Sequence, residues 1–182
     1  MKKLMRSVIE NRELLSFLAA CCVFLSMIEY TIPKPIPFMR YGIANIPVII
    51  SLKIFSPGMT IFLVLLKIIG QGIITGTIFS YIFLFSLSGS LASGLAMILI
   101  YRLCKNRISM VGVSVTGAFA SNIIQLTVAR FLIFGEAATI IAPLIIIIGT
   151  VTSFIVGIFA ESFISKSKWL KTKLPDNKGQ YA

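Results

Sequence analysis

Apolar residues run along this chain in long blocks, and the charges fall almost wholly between the blocks. A bilayer core about 30 Å thick takes roughly 20 apolar residues per helix. Segments near 13–32, 42–55, 58–84, 87–102, 108–134 and 137–163 meet that demand in order, which predicts an all-α membrane protein, a six-helix transmembrane bundle. The second segment is short and contains Pro47, and "TIPKPIPF" before it cannot be helical throughout, because each proline removes a donor and biases its predecessor toward extended geometry. An external loop between the first and second spans, dipping back toward the bundle, is expected there. The third carries Gly70, Gly72 and Gly76, a pattern that predicts a bend or a break.

Small residues recur every four positions, as Gly72, Gly76, Ser80; Ser86, Ser90, Gly94; Gly112, Thr116, Ala120; and Gly149, Ser153, Gly157. That spacing keeps them on one helix face and permits close backbone approach, so these faces are expected to be packing seams.

Charge fixes the expected topology. The chain has 17 Lys+Arg against 6 Asp+Glu, a balance that in a soluble protein would prompt a search for nucleic acid. Here Lys2, Lys3, Arg6 and Arg12 precede the first apolar run, Arg102, Lys105 and Arg107 fill one short loop, and Lys166, Lys168, Lys171, Lys173 and Lys178 form the tail. Such clusters beside apolar spans are topology signals and contacts to anionic lipid, with no nucleic acid implied. All three fall on the cytoplasmic side if six spans start from an internal N-terminus. The expected organisation is a cytoplasmic N-terminus at 1–12, a transmembrane domain at 13–163 and a basic cytoplasmic tail at 164–182, in the cell membrane. The basic start is separated from the first apolar run by "ENRELL", so that run is expected to be retained as a span and not removed as a leader.

Three cysteines and no histidine predict neither a disulfide framework nor a metal site, and no cofactor is expected. Enzymatic chemistry is poorly supplied as well. There is no serine nucleophile motif and no P-loop, and Asp176 in the polar tail is the one aspartate, so no aspartate pair could hold magnesium for diphosphate chemistry.

Candidate chemistry lies in polar groups that lipid alone would not tolerate. Lys67 sits about 13 Å above the cytoplasmic start of its span at 1.5 Å per residue, too deep to snorkel comfortably, and needs a partner or a wet cavity. Gln71 and Thr75 follow it at four-residue steps. In "GAFASNIIQLTVAR", Asn122 and Gln125 point roughly the same way, with Ser121 four residues before Gln125. Amides at such depth also serve as interhelical glue. "PIPFMRYGIANIPVII", residues 35–50, adds Arg40, Tyr41 and Asn45 to an otherwise apolar run. Glu29 is a possible partner for Arg40 or Lys34, Arg130 for Glu136, and Glu161 is remote from the external loop. The economical expectation is an outward-facing pocket with a cationic wall and amide donors, suited to a small anionic or carbonyl-rich ligand.

The stretch "PIPFMRYGIANIPVII", with "SLSGSLASGLAM" and "VSVTGAFASNIIQLTVA", resembles in order the signature blocks of the heptaprenyl diphosphate synthase component I, or Gx transporter, family. That family is similar to the substrate-binding S components of energy-coupling factor (ECF) transporters. The resemblance implies a six-helix S component that captures a small organic micronutrient and works with a transmembrane T component and two cytoplasmic ATPase subunits. It places Arg40, Gly42 and Asn45 in the capping loop and second span, and Lys67, Asn122 and Gln125 in the pocket. It also implies that small residues of the first span, here Ser16 and Ala20, face the T component. Ser121 stands where the family has a histidine. The family's enzyme label implies the alternative, a membrane accessory subunit of a polyprenyl (heptaprenyl) diphosphate synthase. A structural membrane scaffold is the third.

Overall fold

A computed structural model describes residues 2–33, 41–104, 107–168 and 170, the first nine of these as backbone alone. Among the described residues the chain is entirely helical. Its elements are α1 (Lys2–Thr31), a 3-10 turn (Ile43–Asn45), α2 (Ile46–Ile54), α3 (Pro57–Ile74), α4 (Tyr81–Cys104), α5 (Met110–Ala129), a π turn (Arg130–Phe134), a 3-10 turn (Gly135–Ala137) and α6 (Ala138–Lys166). Four stretches are long and apolar enough to cross a membrane: Asn11–Thr31, Pro57–Ile74, Tyr81–Cys104, and Met110–Lys166, which contains α5 and α6.

Local chemistry sets several of these limits. Proline stands in the first turn of α2 and of α3, where its missing N–H has no intrahelical acceptor to lose. Ser109 caps α5 by accepting from Gly112 N at 3.2 Å. α3 stops ten residues before the predicted end of the third span. Gly76 adopts φ 65°, a left-handed conformation that ends the helix, and a turn carries the chain to Tyr81. The predicted seam of Gly72, Gly76 and Ser80 is therefore broken, with Gly72 alone of the three on α3. The second predicted span, 42–55, becomes a 3-10 turn and a nine-residue helix, about 14 Å long at 1.5 Å per residue and short of a full crossing. The predicted external loop falls largely on residues 34–40, outside those described.

Large apolar side chains cover the surface as well as the core, and polar groups are buried among them. Phe24, Ile73, Phe79, Phe131 and Ile140 lie on the surface, whereas Glu29, Lys67, Asn122, Gln125 and a series of serines are buried. An apolar exterior with polar groups kept inside is the distribution that suits helices in lipid. α5 packs extensively on both α4 and α6, and α3 joins α1 to α4. α2 touches α1, α3, α4, α5 and α6 and buries Pro47 through Leu52 without a break, so it lacks a polar face.

The α5–α6 seam is close. Ser114 Oγ donates to Ser153 O at 2.8 Å, and a Cβ on Gly157 would come within 2.6 Å of Val111 Cα. Gly149, Ser153 and Gly157 are all buried in it, as predicted. On α5 the buried stripe is Val113, Ser114, Gly117, Ser121, Asn122 and Gln125, and the expected Gly112, Thr116 and Ala120 are only half-buried beside it.

Two apolar clusters divide the interior. The larger includes Leu18 and Cys22 of α1, Ile49 of α2, Leu63 and Ile68 of α3, Met97 of α4, Val113 of α5 and Val156 of α6. The smaller is Phe85, Ala129 and Ile145, with Tyr41 packed against it.

Candidate functional site

Between these clusters lies a polar cavity. On α4 it is lined by Ser90 and Ser93, which fall between Phe85 of one cluster and Met97 of the other. Asn122 on α5 falls likewise between Val113 and Ala129, and Gly149 on α6 between Ile145 and Val156. The hollow is thus set well inside the apolar stretches, with hydrocarbon side chains toward both ends. It has about 30 Å³ open to the centre of a water-sized sphere, room for roughly two waters at about 10–15 Å³ each.

Helical spacing delivers the polar groups. On α1, Leu18, Cys22, Ser26 and Glu29 form one buried stripe at three- and four-residue steps, so the face that is apolar at one end turns polar at the cavity. Ser26 Oγ donates to Cys22 O at 2.8 Å, which satisfies its hydroxyl within the helix. Glu29, 6% exposed, accepts three backbone N–H groups from the turn that precedes α2: Oε1 from Tyr41 at 2.9 Å and Gly42 at 3.3 Å, and Oε2 from Ala44 at 3.3 Å. Gly42 makes the turn with φ 81°, a conformation that side chains disfavour. One carboxylate of α1 thereby fixes the approach to α2, and Asn45, the next residue after Ala44, faces the cavity. Lys67 of α3, 3% exposed, donates through Nζ to Asn45 Oδ1 at 2.5 Å. Glu29, the turn, Asn45 and Lys67 form a continuous polar connection from α1 to α3.

The far wall is built by α4, α5 and α6. Asn122 Nδ2 donates to Ile145 O at 3.4 Å, beside Gly149, where any Cβ would collide with the amide. Ser93 Oγ lines the cavity, is buried, and has no hydrogen-bond partner among the described residues.

The structure brings Tyr41, Asn45, Lys67, Gln71 and Asn122 to one cavity, five of the seven predicted ligand-binding residues. Tyr41 contributes as backbone and wall, because its hydroxyl donates to Pro33 O at 2.9 Å. Gln125 is elsewhere. It is fully buried between α4 and α5 against Gly89, donating through Nε2 to Ser121 Oγ at 3.0 Å, with its Oε1 unpartnered among the described residues. Arg40 lies outside the described residues. Arg130 does not face the cavity: it pairs with Glu136 at 2.5 Å near the α5–α6 turn, with both side chains at least half exposed. Thr75 caps α3 by donating to Gln71 O at 2.8 Å. Ser16 and Ala20 are exposed on α1, and Glu161 is exposed on α6. The predicted cationic wall is therefore Lys67 alone among the described residues, and Glu29 lines the same cavity.

The sequence reading gave Glu29 only as a possible partner of Arg40 or Lys34, both outside the described residues, because its position near the end of the first span fits an external surface residue equally well. Its signal was the i, i+3 step from Ser26 on the stripe of Leu18 and Cys22. Ser90 looked like part of a packing seam, and it is both seam and wall.

No group of three histidine, cysteine, aspartate or glutamate side chains is gathered among the described residues. Among the described residues of the cavity the chemistry available is hydrogen bonding, with one cation and one anion.

No curated protein and no solved structure matches the chain. Residues 18–163 match one protein family, described as heptaprenyl diphosphate synthase component I.

Proposed function

Because the chain belongs to the heptaprenyl diphosphate synthase component I family, which is similar to the S components of ECF transporters, we propose that it is a membrane subunit that captures a small polar solute. It is not itself an enzyme in this reading. The cavity holds the solute, and import is driven by a T component and two ATPase subunits. The chain sits in the cell membrane with both termini cytoplasmic and the cavity opening outward.

One observation carries the reading: polar side chains from α1, α3, α4 and α5 converge with Asn45 on a single buried hollow between two apolar clusters. Buried polar groups in a bilayer are expensive unless they pair or line a cavity, and such clusters mark solute pathways and binding sites. The hollow as it stands accepts about two waters, and organic ligands occupy pockets of roughly 300–1,000 Å³. Solute entry in this reading therefore requires the Gly42–Asn45 turn to withdraw, with Glu29 releasing its backbone donors.

The family's description favours a second reading, an accessory subunit that works with a partner synthase component. In that reading the apolar bundle would anchor or feed a soluble catalytic partner. Copurification separates the two. Recovery with a T component and ATPases supports import, and recovery with a soluble prenyltransferase whose activity rises supports the synthase role. In the solute-capture reading, Asn122→Ala and Arg40→Ala each weaken ligand binding by purified protein while membrane insertion is retained. Unchanged affinity in both variants would remove the assigned site.

A further inference from the structure

Two hydroxyls that line the cavity, Ser93 on α4 and Ser121 on α5, carry protons that no described residue accepts. We infer that they form a donor wall that recognises a carbonyl or carboxylate oxygen of the solute, and that Gln125 is the positioning residue that aims the Ser121 proton into the hollow. This rests on the solute-capture reading and names the group by which the solute is held on the side of α4 and α5.

A serine or threonine inside a helix commonly turns its hydroxyl back to a carbonyl of the preceding turn. Ser26, Ser88, Thr116 and Thr127 all do so, each donating to the carbonyl four residues before it at 2.7–2.8 Å. Ser93 and Ser121 depart from that habit. Ser93 is 2% exposed, and its Oγ has no partner among the described residues. Ser121, 9% exposed, accepts a hydrogen bond and donates to no described residue. A hydroxyl shut away from water in this manner is costly until something takes its proton.

The α4–α5 seam explains why neither finds a partner across it. Each stands against a glycine of the opposite helix: a Cβ on Gly117 would come within 2.9 Å of Ser93 Oγ, and one on Gly89 within 2.9 Å of Ser121 Oγ. Glycine brings no side-chain acceptor, which leaves the hollow as the open side. Gln125 fixes the sense of the Ser121 hydroxyl. Fully buried, it donates through Nε2 to Ser121 Oγ at 3.0 Å, which occupies a lone pair and leaves the proton to point elsewhere. The reversed amide would take that proton and offer the solute a lone pair instead. A carbonyl or carboxylate oxygen has two lone pairs and no proton of its own, so it relieves either hydroxyl and competes with neither.

The test is thermal unfolding of the full-length protein in nanodiscs, at constant ionic strength, with formamide and sodium formate as probes small enough for a hollow of about two waters. One or both should raise the wild-type midpoint by about 2 °C or more, formamide marking an uncharged carbonyl and formate alone a carboxylate. Ser93→Ala and Ser121→Ala should each lose most of that rise, and either variant suffices if the other does not fold. No response of the wild type, or an undiminished response in the folded alanine variants, overturns the inference. The aim of the hydroxyl is read from Ser121→Cys by infrared difference against the wild type, which removes the three native thiols. Its S–H stretch should fall in frequency when the probe binds, as that of a donating thiol does, and adding Gln125→Met should abolish the fall. An S–H band that never moves, or one that still moves in the folded Gln125→Met background, overturns the role given to Gln125. Failure of the underlying reading looks different: the probe responses and their loss are as expected, yet the protein copurifies with a soluble prenyltransferase and raises its activity.

Discussion

Two glycines on the same face of α6 separate binding from stability. At Gly149 an added methyl collides with the tip of the Asn122 side chain, which can swing away. Gly149→Ala should therefore keep the fold, displace the amide from the cavity, and lower affinity for a polar ligand in a binding titration. At Gly157 the obstacle is the backbone of Val111 at 2.6 Å, which yields only if α5 and α6 part. Gly157→Ala should cost about 1–3 kcal/mol, as overpacking does, read as a lower unfolding midpoint with ligand selectivity unchanged. The exposed Arg130–Glu136 pair is a contrast. Glu136→Gln should change stability by less than about 1 kcal/mol, the range of exposed ion pairs. Lys67 was legible in the sequence because a lysine so deep in an apolar span demands an explanation. The role of Glu29 was not, because no one-dimensional pattern says that a span's last charged residue accepts three N–H groups from a turn twelve to fifteen residues later.

Each apolar block holds a helix, though only four stretches are long and apolar enough to cross a membrane, and helix starts were read where a proline or a cap marks them. Pro57 and Ser109 place the starts of α3 and α5 within two residues of the predicted 58 and 108. The third span was drawn ten residues too long, but the bend or break expected at its glycines is there: the chain turns at Gly76, and which of the three glycines breaks the helix depends on a backbone angle that the sequence pattern does not give. Gly76 has φ 65° and open space around its would-be Cβ, so Gly76→Ala should cost only backbone strain, about 1–2 kcal/mol. A fall in the unfolding midpoint without loss of ligand binding would agree. α2 shows the other limit of sequence reading. Its run of apolar residues fits a membrane span, but it is an interior plug in contact with five other helices, a role set by tertiary packing.

At the scale of the molecule, one arrangement accounts for both the oily exterior and the buried polar residues. Helices present aliphatic and aromatic side chains outward, bury small residues where backbones meet, and leave a polar hollow where the apolar clusters stop. The account proposes that this hollow exists to hold a solute. Native mass spectrometry of gently purified wild type and Lys67→Met tests that claim most directly. The account predicts a small molecule retained by the wild type and lost from a folded Lys67→Met protein. No adduct on the wild type, or the same adduct on both, would contradict it.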